Sequence, residues 1–424
     1  MKSPVKVELI KEKRFMEVVK EYLGCASYSE INCAYERYPV IFESLVLFIV
    51  KTVLANHYIN INNKIDTEDI PITTYRFLFS SDGKMASVPL SGAFFLQTKK
   101  GDKIVLYPKL YDLSGYINIT VYFKVNDKEC ASDLFVHLKE ELWKVKDQKF
   151  TGSGRFLKLK KEYKWDDIIL PENIKNLLKS NVVDFINKRQ YFEKRNVIFK
   201  RGLLFHSKPG LGKTFAGLVL ASQVKNCNFV YVTPKDIEYR PTTAISNIYL
   251  FARMLAPTIV FFEDLDLMGG NDRYSPFHRE ILGELLNQLD GFEANNGVVT
   301  IATTNKPEAL DEALGNRPGR FDVKIEFKNP DFPSRLALLE KLASNSKLKL
   351  ECDLKEIAEM TEGLSYAQIS EIFTRSQIAS LEEQTSESAD VHITAKHLIE
   401  AARQLGVQNN NKSLGFITKA GDVL

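Results

Sequence analysis

Between Ser207 and Thr214 the chain reads SKPGLGKT, with the apolar run RGLLF shortly before it and the helical pattern TFAGLVLASQV overlapping its end. A strand, a glycine-bearing turn and a helix start in that order form a phosphate cradle. N–H groups of the turn and of the helix N-terminus point at the anion, and the helix dipole favours negative charge. Ser207, Lys208, Pro209, Gly210, Leu211 and Gly212 would form the turn. Lys213 would bring its charge to the β- and γ-oxygens of a nucleotide, and the Thr214 hydroxyl could ligate Mg²⁺. Ser207 stands where such turns usually open with glycine. If positive φ is required there, serine costs about 1–2 kcal/mol, which weakens binding without abolishing it. The plain alternative is a glycine-containing turn that binds nothing.

Downstream lies TIVFFEDLDL. A buried strand that ends in carboxylates suits a second nucleotide motif, in which one acid holds Mg²⁺ and the next orients the attacking water. The common order is Asp then Glu; here it is Glu263 then Asp264. Glu263 is therefore expected on the metal beside Thr214, and Asp264 on the water. Asp266 or Glu263 supplying the water contact is the competing assignment. TIATTN then sets Asn305 after an apolar run, where it could hold the nucleophilic water, although an isolated Asn is also an ordinary turn former. NRPGRFD follows, carrying Arg317 and Arg320. Loop arginines usually form surface ion pairs, but beside a nucleotide their planar charge could stabilise a γ-phosphate in the transition state.

These residues need a scaffold that brings strand ends together. RGLLF, NFVYVT, TIVFFED, GVVTIATT and KIEF are short, apolar and rich in β-branched or aromatic residues, and helical patterns separate them. Such alternation predicts an α/β core with a parallel sheet covered on both faces, over residues 165–330. Residues 331–408 read as helices: LALLEKLAS, LKEIAEMT, YAQISEIFTRSQIASLEE and TAKHLIEAARQL. Upstream, residues 1–150 read as an α+β domain. Its ITVYFKV segment alternates with Ile117, Ile119, Val121 and Phe123 on one face. A helix is expected from Ser132, as N-cap, to Lys146, with Leu134, Leu138 and Leu142 aligned. Residues 151–164 form a linker that opens on the turn TGSG and carries the basic run KLKKEYK, read as a solvated segment rather than a nucleic-acid contact. Residues 409–424 form a polar tail.

Over 424 residues the formal net charge is +3, too small for the cationic field that dominates nucleic-acid binding. Five cysteines, none at metal-ligand spacing, suit reduced thiols and a cytoplasmic location. The stretch Pro39–Ala55 is the most apolar, but Glu43 and Lys51 interrupt it. A membrane span needs about 20 apolar residues, so a buried or partner-facing helix is expected instead.

WDDIILP, SKPGLGKT, IVFFEDLDL, LLNQLDGF, TIATTNKPEALDEAL and NRPGRFDVKIEF occur in the order, and at about the spacing, of AAA-family ATPases, which the chain resembles from Lys164 to about Gln408. The resemblance implies a P-loop αβα core with a C-terminal helical lid, ATP and Mg²⁺ as ligands, ATP hydrolysis, and usually a hexameric ring. It makes Arg317 and Arg320 act on a neighbouring subunit's ATP, Asn305 sense γ-phosphate, and the backbone at Asp167 and Ile168 contact adenine. The Glu–Asp order and WDDIIL look most similar to the branch holding the mitochondrial translocase of the Rieske iron–sulfur protein and its prokaryotic relatives. That branch's membrane helix has no counterpart here, and no HExxH suggests a built-in zinc protease. Tyr239, in DIEYRPTT, sits where many members place a pore aromatic, but Arg240 and Pro241 replace the usual triplet; a packed or exposed loop tyrosine is the other reading. His206 is expected to be structural. The expected function is ATP-driven remodelling or translocation of a protein partner chosen by residues 1–150; the alternative is a nucleotide-dependent assembly switch with slow turnover.

Overall fold

Alternation along two strands shows how the N-terminal region is covered. The computed structural model describes residues 15–39, 45–46, 49–50, 52–53, 56, 58–62, 74–79, 85–91, 93–98, 100–111, 116–268, 276–290, 295–307, 320–383 and 391–405. Strands β1 (Ile31–Pro39), β2 (Tyr58–Asn62), β5 (Phe94–Thr98), β6 (Lys103–Tyr111) and β7 (Tyr116–Lys124) form an antiparallel sheet in the order β1-β7-β6-β5-β2. Strands β3 (Thr74–Phe79) and β4 (Met85–Ser91) pair as a separate antiparallel ribbon. Phe95 and Val105 pack beneath Phe15, Val19 and Leu23 of a helix over residues 15–23. Their neighbours Phe94, Leu96, Ile104 and Leu106 point to the opposite face, into a core shared with Ile117, Ile119, Val121 and Phe123. That face also receives Leu45, Val46, Ile49, Val50 and Val53, so beyond Pro39, the last residue of β1, the described part of the Pro39–Ala55 stretch is core helix. Among the described residues no helix is long and apolar enough to cross a membrane.

Helix α1 (Lys128–Trp143) contributes Leu134, Leu138 and Leu142 to the same core. It begins before the expected Ser132 cap, because the 3-10 turn Val125–Asp127 leads straight into it and Ala131 already lies on the buried stripe.

The expected apolar runs become strands β9 (Lys200–His206), β10 (Asn228–Val232), β11 (Thr258–Phe262), β12 (Val298–Thr304) and β13 (Val323–Glu326). With β8 (Lys149–Thr151) they build one six-stranded parallel sheet, ordered β13-β9-β12-β11-β10-β8. β8 falls at the expected junction between N-terminal domain and linker, and it extends the edge of this sheet. Every residue of β11 and β12 is buried, as strands covered on both faces require. Phe229, Ile259, Phe261, Val299 and Ile301 share one apolar layer with Ala216, Val219 and Leu220 of α2 (Lys213–Gln223). Val230, Val232, Val260 and Phe262 face the other layer, with Ile245 and Ile248 of α3 (Pro241–Met254) and Ile281 and Leu285 of α4 (Pro276–Asp290). Gly217 lets α2 lie close on the sheet, since a Cβ there would stand 2.6 Å from the Phe261 ring.

The four expected C-terminal helices are α5 (Phe332–Asn345), α6 (Leu354–Met360), α7 (Tyr366–Glu382) and α8 (Ala395–Gln404). They enclose a separate core around Leu339, Ile357, Ile369, Ile372, Phe373 and Leu398. A two-stranded parallel ribbon of β14 (Lys349–Glu351) and β15 (His392–Thr394) was not anticipated. Residues 406–424, which include the whole of the expected tail, lie outside the described residues.

Candidate nucleotide site

β9, β11 and β12 end on one rim of the parallel sheet, and their C-terminal ends carry SKPGLGKT, Glu263 with Asp264, and Asn305 in turn. A crevice at the carboxyl ends of parallel strands is the usual ligand position in such sheets. In the loop, positive φ falls on Gly210 (79°) and Gly212 (95°), not on Ser207. The cost expected for serine at the loop's first position therefore does not arise. Ser207 is instead a buried partner: Lys213 Nζ donates to Ser207 Oγ at 2.8 Å. Leu211 anchors the turn in the apolar layer beneath it, while Lys208, Pro209 and Gly210 are exposed.

Lys213 Nζ also donates to Asn305 Oδ1 at 2.8 Å, and Asn305 Nδ2 donates to Asp264 Oδ1 at 3.3 Å. Lysine, asparagine and acid thus form one hydrogen-bonded chain between three loops. Burial holds Lys213 below the ordinary lysine pKa, against the opposing pull of Asp264 and Asp266. Burial also raises Asp264 above the ordinary carboxylate range; the charges of Glu263 and Asp266 add to this, while Lys213 and Asn305 oppose it. Asp266 accepts from the Asn305 backbone N–H at 2.9 Å and so shapes the loop that carries the asparagine.

The two adjacent acids diverge. The Glu263 N–H donates to Val232 O at 2.8 Å and so prolongs the ladder beyond β11. Its side chain accepts from Thr214 Oγ1 at 2.7 Å on Oε1 and from the Tyr231 hydroxyl on Oε2. Asp264 then leaves strand geometry at φ 48°, its N–H bound to Thr303 Oγ1 at 2.8 Å. Positive φ is uncommon outside glycine, and Asp and Asn tolerate it best. That backbone turn sends Asp264 toward Asn305 and Lys213 while Glu263 stays beside Thr214.

A cavity of about 600 Å³ opens over this arrangement. Pro209 to Thr214, Asp264 and Asn305 lie on its wall, together with Asp167 and Ile168. The lid closes the other side through Leu338, Lys341 and Leu342 of α5 and Tyr366, Ala367 and Ser370 of α7. Lys341 Nζ donates to Asp166 O at 2.5 Å and to Asp167 Oδ1 at 3.4 Å, which ties α5 to the 3-10 turn Trp165–Asp167 at the start of the core. The Lys164 N–H, at 2.9 Å, is the main reason that Asp167's carboxyl sits below its ordinary pKa, with Lys161 and Lys341 assisting. The Ala367 N–H donates to Gly210 O at 3.1 Å, so the phosphate loop touches the lid directly. The donor set fits a nucleotide with a divalent cation: a buried lysine beneath a glycine cradle, and hard oxygen ligands from Thr214 and Glu263 side by side.

Arg320 is buried and pairs with Asp290 of α4 through Nη2 (2.6 Å) and Nε (2.9 Å). It is not on the cavity wall of its own chain. Arg317 lies outside the described residues. Tyr239 is 83% exposed, so it is not packed; a pore aromatic and an exposed loop tyrosine both fit that exposure. Arg240 beside it has φ 55° and precedes Pro241, the first residue of α3. His206 pairs in register with Glu326 and accepts the Phe327 N–H through its carbonyl, a role within the sheet.

Sequence reasoning missed Tyr231, Thr303 and Lys341. Tyr231 could have been found only from the register that sets it opposite Phe261, and Lys341 only from the lid's docking. Thr303 carried no distinguishing signal, since it is one of three threonines in the buried strand VVTIATT.

Residues 203–329 match the model of the ATPase family associated with various cellular activities (AAA). The chain is 32% identical over 243 residues to 26S proteasome regulatory subunit 8 homolog B of Arabidopsis thaliana, covering 54% of this chain and 56% of the relative. It is 34% identical over 238 residues to the proteasome-activating nucleotidase of Pyrococcus horikoshii, covering 54% and 57%. It is 32% identical over 211 residues to the ATP-dependent zinc metalloprotease FtsH of a Synechococcus strain, covering 47% and 32%. The chain thus spans little more than half the length of the first two relatives and a third of the last. The phosphate loop, the diverging acids, Asn305 and Arg320 all fall inside the stretch that matches the AAA model.

Proposed function

We propose that this chain binds ATP with Mg²⁺ and hydrolyses it to ADP and phosphate, and that a ring of such chains, of hexameric type, uses the cycle to remodel or translocate a protein partner. The Lys213–Asn305–Asp264 hydrogen-bonded chain carries this reading, because it joins a phosphate-facing cation to a base for water through one amide. Mg²⁺, when bound, neutralises phosphate oxygens. Thr214 and Glu263 would hold it. Lys213 and the N–H groups of the glycine turn bind phosphate, Asn305 senses the γ-phosphate, and Asp264 accepts the proton of the attacking water. Asp167 and Ile168 border the base. Arg317 and Arg320 act on the neighbouring subunit's nucleotide; the position of Arg320 off its own cavity wall supports action in trans. Exposed Tyr239 is the residue to grip substrate in a central pore. Residues 1–150 select the partner. Relatives named as a proteasome regulatory subunit and a proteasome-activating nucleotidase support a protein rather than a nucleic acid as substrate. The Glu263–Asp264 order supports placement near the Rieske-protein translocase branch.

Lys213→Ala is the test. It should abolish nucleotide binding and ATPase activity while the circular dichroism spectrum is unchanged, since it removes the main side-chain charge facing the phosphates. Unchanged affinity would sink the site. A parental chain that binds ATP tightly but turns over only marginally, with or without protein substrate, would favour the assembly-switch alternative.

A further inference from the structure

We infer that Tyr231 is a positioning residue for the metal-side acid: its hydroxyl fixes one oxygen of Glu263 so that the other meets Thr214. The inference rests on the ATP–Mg²⁺ reading above and adds to it a residue from a strand that no nucleotide motif includes.

Register and face carry the case. β10 and β11 are parallel, with Tyr231 opposite Phe261. Side chains two apart on a strand share a face, so Ile259, Phe261 and Glu263 line up along β11. Glu263 keeps that direction because its N–H continues the ladder to Val232 O. The Tyr231 ring lies flat on Phe261, with centroids 5.8 Å apart and planes at 7°, and the ring's length carries its hydroxyl forward to Glu263. The stack leaves the phenol little choice of direction, and the carboxylate meets two donors on its two oxygens, Thr214 and Tyr231. An acid bound at one oxygen only could rotate away from Thr214; bound at both, it is held. Outer partners of this kind orient metal ligands, and their loss typically costs 10- to 100-fold in metal affinity. A phenylalanine would fill the same apolar space, so stacking alone does not account for a tyrosine whose hydroxyl ends on this carboxylate.

The test is Tyr231→Phe in the full chain, which keeps the ring stack and deletes the hydroxyl. Binding of a fluorescent ATP analogue is followed without divalent cation and across a Mg²⁺ titration, beside the parent and Thr214→Ala. The expected result is metal-free affinity within about twofold of the parent, an unchanged ligand-free melting temperature, and a Mg²⁺ midpoint raised about 10-fold. A Tyr231→Phe titration that superimposes on the parent's, while Thr214→Ala is shifted, overturns the inference and leaves the site intact. Equal weakening with and without Mg²⁺ also overturns it, because that is the mark of a merely structural tyrosine. A parent that shows no Mg²⁺-dependent nucleotide binding overturns the ATP–Mg²⁺ reading and this inference together.

Discussion

Thr214 Oγ1 and Glu263 Oε1 lie 2.7 Å apart, which joins the first turn of the phosphate-loop helix to the end of the central strand. Two segments far apart in sequence thus present paired oxygens at one place, and the next residue, Asp264, turns away from them at φ 48°. The aspartate at the second position suits this backbone. The residue in the left-handed position has to tolerate positive φ, and an aspartate does so better than a glutamate.

Asp264→Asn is therefore expected to fold normally, bind ATP and lose about 10²–10⁴ in turnover, the usual worth of a positioned general base. Asp264→Glu restores the usual acid length but should lower stability by about 1 kcal/mol through its φ. ATPase assays and chemical denaturation check the two arms. Near-parental turnover in Asp264→Asn would transfer the water contact to Asp266 or Glu263.

Arg320 makes two claims that can be separated. Arg320→Ala should spare ATP binding and suppress turnover by about 10³–10⁵ if the guanidinium acts on a neighbour's nucleotide. Asp290→Ala breaks the same ion pair but keeps the guanidinium, and should hold turnover within about tenfold of the parent. Co-assembled Arg320→Ala and Lys213→Ala subunits should recover activity if the arginine works in trans. If both single variants lose turnover alike and no mixture recovers it, the pair is structural.

Gly210 is constrained twice, by φ 79° and by the lid. A Cβ there would meet Ala367 Cβ at 2.8 Å and Ser365 Oγ at 3.0 Å. Gly210→Ala should weaken nucleotide affinity about 10-fold, the equivalent of a φ penalty of about 1–2 kcal/mol. Adding Ala367→Gly should recover only the steric part. Calorimetric titration of the single and double variants measures the split.

Asp331 caps α5, its carboxylate accepting the Ser334 N–H at 3.0 Å. The Ser334 hydroxyl and N–H hold its carboxyl below the ordinary value of 3.8. A depressed acid contributes stability above the unfolded pKa and loses it as pH falls through the lower folded one. Asp331→Ala should cost about 1 kcal/mol at pH 7. Asp331→Asn keeps a cap without the charge, so its stability difference from the parent should shrink below about pH 4. Urea denaturation at pH 7 and pH 3 reads both.

How much could be read beforehand depended on whether one segment or two were needed. RGLLF, TIVFF and GVVTIATT announced buried parallel strands because each is apolar on both faces, and SKPGLGKT carried its own turn and helix start. The three-residue strands β8, β14 and β15 are too short to show a period. Tyr231 looked like any aromatic in a strand, since only its pairing with β11 aims it at Glu263. The turn at Asp264 was hidden because the reversed acids were visible but not the φ of the second one.

Thr151 of β8 lies in register with Tyr231, and the Gly152 N–H donates to Tyr231 O at 2.7 Å. β8 is also the first segment of the parallel sheet that the chain reaches after α1. In mechanical terms the N-terminal region is therefore anchored on the very residue whose side chain holds the metal-side acid. A load along β8 would stress its bonds to β10 in parallel, as a lap joint carries shear, rather than peel them one at a time. On the proposed reading, in which residues 1–150 select a partner, a path from that region to Glu263 runs across one strand pair and one phenol and does not include the lid.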